Sequence, residues 1–175
     1  MQTSGLAERE LTHDVDNTAP VLLLGLGNPL MSDDGAGQEV LARLESEATA
    51  WGSRVEFIDG GTQGLALLGR VEGRKAVVFL DAIRLGDKAG AVHVLEGDEL
   101  LRLGGGRATT AHEGSAPQIL AALHLLGEVP EQVTMVGIEP AEIKTGIGLS
   151  AAVEANVGVA ASFARMTITN ILSAA

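Results

Sequence analysis

The chain has 175 residues, 46% hydrophobic and 20% charged, which suits one globular domain with its own core and is too apolar for a disordered chain. A net charge of −11 repels phosphate backbones and anionic lipid head groups, so no nucleic-acid or membrane partner is expected. The absence of cysteine removes disulfides, thiolate nucleophiles, Cys-ligated zinc and iron–sulfur clusters. Aromatic residues at 2% leave no platform on which bases or sugars could stack.

Residues 1–20 are polar and acidic, without the basic start and apolar run of a signal peptide. They read as a mobile tail ahead of a single α/β domain over 21–175. The apolar runs beyond them are far shorter than the ~20 residues of a membrane helix, and a cytoplasmic protein is expected. VLLLGLG (21–27) is a leucine-rich run stopped by Gly, Asn and Pro, the pattern of a strand buried on both faces. A helix is predicted from about Asp34 to Ala48, with Ala36, Val40, Leu41 and Leu44 on one face and Ser32, Asp33 or Asp34 capping its start. The chain then turns at Trp51-Gly52-Ser53. RVEFID (54–59) and KAVVFLD (75–81) are two further strands, each ending in aspartate, with a helical segment near Gln63–Arg70 between them.

AVHVLE (91–96) alternates apolar and polar residues, as an edge strand does, and the short connection from the strand before it allows an antiparallel placement. No regular pattern is assigned between it and the Gly-rich loop GGGRATTAH (104–112). Ser115-Ala-Pro-Gln118 reads as a capping box opening a helix with Ile119, Leu120, Leu123 and Leu126 inward. QVTMVGI (132–138) is the last strand; after the loop 139–149, Ser150 caps one long helix through about Leu172. Strands alternating with helices predict a three-layer α/β/α fold around a twisted, mostly parallel five-stranded sheet.

In such sheets, ligands sit beyond the carboxyl ends of the strands. Here those ends carry acids: Asp33 and Asp34 after the first strand, Asp59 after the second and Asp81 after the third, with His112 in the Gly-rich loop. Asp34, Asp81 and His112 form a candidate ligand set, because two carboxylates and an imidazole suit a borderline divalent transition metal and leave positions open for substrate or water. The alternative for each aspartate is a helix cap or a turn, and for His112 a loop surface residue. His93, His124 and His13 lie on an alternating strand, a helix and the tail, without chemistry assigned. G-x-S-x-G is absent, His112-Glu113 lacks the second histidine of H-E-x-x-H, and Gly25-Leu-Gly27 lacks the third glycine of a dinucleotide fingerprint.

Four segments in series, GLGNPLMSDDGAG (25–37), FIDGGTQG (57–64), FLDAI (79–83) and MVGIEPAEIKTGIGLS (135–150), resemble the hydrogenase maturation endopeptidases, which trim the C-terminal extension from the large subunit of nickel–iron hydrogenases. The resemblance spans roughly 21–172. It implies Asp34, Asp81 and His112 as metal ligands, with Asp33 the neighbouring structural alternative to Asp34, and a hydrogenase large-subunit precursor as partner. The metal it implies is the nickel already loaded in that precursor, recognised rather than resident, although another divalent cation can occupy the site in vitro; a monomer is expected. Without cysteine ligands, such a set docks on nickel but does not strip it from thiolates. For the cleavage step two routes stay open: Asp59 as general base activating water, or Lewis-acid help from the metal. Asp59 also has a purely structural reading, a buried acid bonded to the amides of Gly60, Gly61 and Thr62.

Three other functions compete. A peptidyl-tRNA hydrolase shares the G-L-G-N-P start, but this chain lacks the Tyr and the T-R-H-N run, and its charge disfavours tRNA. A non-catalytic metal- or peptide-binding module would hold a partner's tail without cutting it. A protease acting on germination-type proenzymes would share the fold and the acid pair.

Overall fold

A computed structural model describes residues 18–104 and 114–174. Its five strands are β1 (Val21–Leu26), β2 (Val55–Gly61), β3 (Ala76–Ala82), β4 (Val92–Glu96) and β5 (Gln132–Ile138). The helices are α1 (Ala36–Glu45), α2 (Leu68–Val71), α3 (Gly97–Gly104), α4 (Ala116–Leu126), α5 (Ala151–Glu154) and α6 (Val157–Ser173). Among the described residues, no helix is long and apolar enough to cross a membrane. Ala19 and Pro20, which the sequence assigns to the tail, are tied to the body: Arg74 donates to the Ala19 carbonyl at 2.7 Å, and Lys75 and Ala76 donate to that of Pro20.

The sheet order is β2-β1-β3-β5-β4. β1, β2, β3 and β5 run parallel, and β4 closes one edge antiparallel to β5. The edge position and direction of β4 agree with its alternating sequence, but its partner is β5 rather than the strand that precedes it. The central strands read as unbroken apolar runs because both faces are covered. Alternate residues Val21 and Leu23 of β1 and Val78 and Leu80 of β3 pack under α1 and α6. Leu22 and Leu24 of β1 and Val77 and Phe79 of β3 pack under the Leu67–Val71 turn, α3 and α4. Each fully buried leucine contributes roughly 1.5–3 kcal/mol of burial free energy, so the two apolar layers fix the sheet register.

Four local readings differ from the structure. α1 starts at Ala36 after a 3₁₀ turn, Ser32–Gly35, and no side chain caps it; Ser32, Asp33 and Asp34 all hydrogen-bond elsewhere. The region after β4 forms α3, whose Glu99 carboxylate accepts the Glu96 N–H at 3.0 Å and whose Leu100 is fully buried. The final helix is broken at residues 155–156, where the Asn156 side-chain amide donates to the Ala152 carbonyl and its own N–H bonds Val153 in a tighter turn, the local competition that makes asparagine a poor mid-helix residue. At α4, Ser115 is the N-cap residue without a side-chain bond, and Gln118 accepts from the N–H of Gly114, one residue before the cap, so neither bond of the expected box forms.

Candidate active site at the β1/β3 crevice

β1 is followed in sequence by β2 on one side of it, and β3 lies on the other. The strand order therefore reverses between β1 and β3, which opens a crevice at their carboxyl ends. Asp59 of β2 and Leu80 of β3 both stand opposite Gly25 of β1, so the three strand ends are level. The loop after β1 carries Asp34, the end of β3 carries Asp81, and both are buried, at 2% and 1% exposure.

The approach of α1 to this crevice depends on glycine. A side chain at Gly37 would place its Cβ 2.2 Å from the Leu80 carbonyl oxygen and 2.4 Å from that of Leu26; the helix start thus rests directly on the backbone of β1 and β3. At Gly27, φ is +122° and a Cβ would lie 1.8 Å from the Asp34 carbonyl oxygen, a conformation and a closeness that exclude other residues.

Residues 27–35 brace themselves across this turn. The Asn28 N–H donates to Asp34 Oδ2 at 2.9 Å, the Leu30 N–H to Asn28 Oδ1 at 3.0 Å, and the Gln38 amide to the Gly27 carbonyl at 2.7 Å. Asp33 is committed elsewhere. Its Oδ2 accepts from the N–H groups of Ala141 (2.8 Å) and Glu142 (3.1 Å) and from the Ser150 hydroxyl (2.8 Å), and its Oδ1 from the Ser150 N–H (2.6 Å). These charge-assisted bonds satisfy a fully buried carboxylate. The neighbouring acids of the DD pair thus face different neighbourhoods: Asp33 ties down the loop after β5, and Asp34 belongs to the β1 turn.

Asp81 pairs in register with Gly137 of β5. Asp59 lies on the same rim but is exposed, and its Oδ1 accepts from the Gly61 N–H at 3.0 Å. The turn-shaping contact exists, with Gly61 alone of the three amides considered, and the side chain is not the buried acid of that reading. His112 lies outside the described residues, and among those described no three metal-ligating side chains are grouped to hold an ion. Beside the Asp59 turn, a groove of about 670 Å³ runs between Thr62–Leu65 and the Gln118–Leu125 face of α4.

Sequence reasoning passed over Glu139. This buried acid directly follows β5 and accepts from the N–H groups of Leu85 (2.7 Å) and Gly86 (3.3 Å), holding the loop beyond β3. Its signal was the one used for Asp59 and Asp81, an acid at the end of an apolar strand.

A mostly parallel α/β sheet with buried acids toward the carboxyl ends of its central strands defines the class of fold, and comparison with known proteins narrows it. The sequence profile of the hydrogenase maturation proteases matches residues 39–165. The hydrogenase 2 maturation protease of Escherichia coli K12 is 33% identical over 138 residues, 78% of this chain and 83% of that protein. The hydrogenase expression/formation protein HupD of Thiocapsa roseopersicina is 32% identical over 123 residues, 70% of this chain, which spans little more than half (55%) of the HupD length. Among solved structures, the hydrogenase maturating endopeptidase HybD from E. coli superposes with a TM-score of 0.76 at 30% identity, covering 86% of this chain and 92% of HybD. This chain belongs to the hydrogenase maturation protease family.

Proposed function

We propose that the chain is an endopeptidase that removes the C-terminal extension of a nickel-loaded hydrogenase large-subunit precursor, with the precursor's nickel as the recognition element. The observation that carries this reading is the burial of Asp34, in the turn after β1, and of Asp81, near the end of the adjacent strand β3, from stretches far apart in sequence of a maturation-protease fold. With His112 as the third donor, the set offers two hard oxygens and one imidazole, ligands that suit nickel without competing with the thiolates that hold it. The Thr62–Leu65 groove gives an extended peptide a place to lie beside the rim.

For water activation, Asp59 is the candidate base, and polarisation by the bound nickel is the other route. The exposure of Asp59 and its bond to Gly61 also suit a turn former. Asp59→Asn therefore separates the roles: loss of the base lowers the processing rate about 10²–10⁴-fold, whereas a turn former loses little.

The test is mass spectrometry of a large-subunit precursor, nickel-loaded and nickel-free, after incubation with this protein. Loss of the extension mass from the loaded form alone is expected, and Asp34→Asn and Asp81→Asn should abolish it. Stable binding without any cleavage would reduce the protein to a binding module, and equal cleavage of the nickel-free form would remove nickel recognition.

A further inference from the structure

Two residues immediately before Asp34 are held by a loop more than a hundred positions away. Ser32 sits at φ +51°, a left-handed conformation that costs a non-glycine residue about 1–2 kcal/mol. Its N–H donates to the Gly146 carbonyl at 2.9 Å and its hydroxyl to the Lys144 carbonyl at 3.1 Å. The Gly146 N–H returns a bond to the Leu30 carbonyl, making an isolated parallel bridge between Met31 and Gly146. Asp33 adds its four bonds to Ala141, Glu142 and Ser150. The strained Ser32 turn thus persists because the 139–150 loop over-determines it.

We infer that Asp33 is a positioning residue: by clamping the 139–150 loop it fixes the Ser32 turn and, through that turn, the place of the Asp34 carboxylate. This rests on reading Asp34 as a working group of the site. Asp33 has no role toward the substrate itself; it acts on the next residue in the chain.

The Asn28 N–H, which bonds Asp34 Oδ2 and none of the Asp33 atoms, reports on the effect. In Asp33→Asn, one oxygen becomes an NH₂ facing donors. Amide hydrogen exchange measured by NMR should then rise at least about tenfold at Ala141, Glu142 and Ser150, the size of change that losing one charge-assisted bond brings, and should rise at Asn28 too. Ser150→Ala, which deletes the hydroxyl bond to Asp33 and the longer cap on the Val153 N–H but keeps the Ser150 N–H bond, should move the same amides in the same direction by less. Leu123→Ala, which cuts a cavity under the other face of the sheet, should leave Asn28 unchanged relative to its neighbours in β1. Faster exchange at 141, 142 and 150 with Asn28 still protected, in either variant, overturns the inference. Precursor processing by Asp33→Asn should fall with the Asn28 protection. The exchange measurement needs no substrate, so a wild-type protein that fails to cut the precursor would refute the proposed activity and leave the clamp standing or falling on Asn28.

Discussion

Gly37→Ala puts the contact between α1 and the sheet to a quantitative test. In a helix, alanine for glycine normally stabilises by about 0.5–1 kcal/mol, so helix propensity alone predicts a tougher protein. Packing predicts the reverse. The new methyl would meet the Leu80 and Leu26 carbonyl oxygens at 2.2 and 2.4 Å, where ordinary contact begins at 3.4 Å, so the helix start must retreat by about 1 Å. Both obstacles are backbone on two central strands, so no side-chain rotation relieves them, and overpacking of this kind costs about 3 kcal/mol. The net loss is about 2 kcal/mol, and at roughly 2–4 °C per kcal/mol for a chain of this size the thermal midpoint falls by about 4–8 °C. Because the displaced segment joins directly to Asp34, precursor processing should fall further than the loss of folded protein explains. Gly69→Ala is the control: its Cβ meets nothing within 4 Å, and the midpoint should hold or rise slightly. Differential scanning calorimetry of both variants reads the outcome. A Gly37→Ala protein as stable as Gly69→Ala would refute the seating of α1 on those carbonyls.

Glu139→Gln should cost about 1–3 kcal/mol, because the NH₂ group of the buried side chain would face an N–H donor; exchange should quicken at Leu85 and Gly86 while the amides of β1 stay protected, and uniform loosening would count against this local role. The hydrogen bonds and charge of Arg165 hold the partly exposed Glu47 carboxyl below the ordinary glutamate range, and the same pair raises Arg165. A depressed folded-state value means that stabilisation from the pair is present above the unfolded glutamate value and is lost as pH falls through the folded one. The difference in unfolding midpoint between wild type and Arg165→Met should therefore fade on acidification through the carboxylate range, and a difference constant with pH would refute the coupling.

The sheet was legible because its central strands bury both faces: 132–138 matched β5 residue for residue, and the other strands shifted by one or two positions. The rim followed from the rule that parallel strands end together, which brought Asp34, Asp59 and Asp81 to one side before any geometry was known. The division of labour within Asp33-Asp34 was not legible, since it is decided by Ser150, 117 positions away, and two adjacent acids look alike in sequence. α3 was missed although Asp98 and Glu99 in its first turn and three leucines at 100, 101 and 103 carry a helical signal; eight residues are too few for periodicity to speak clearly. The break at 155–156 has no proline or glycine to announce it. It follows from how Asn156 bonds once the helix is already packed.

The Met31–Gly146 bridge has a consequence for the timing of synthesis. Strands β2 to β5 all leave the ribosome between the two halves of that bridge, so a contact of this range closes late, after the strands have condensed. Asp33 and Asp34 are thus synthesised well before the loop that braces their turn, and the turn takes its final form only once Lys144, Gly146 and Ser150 have folded back onto it.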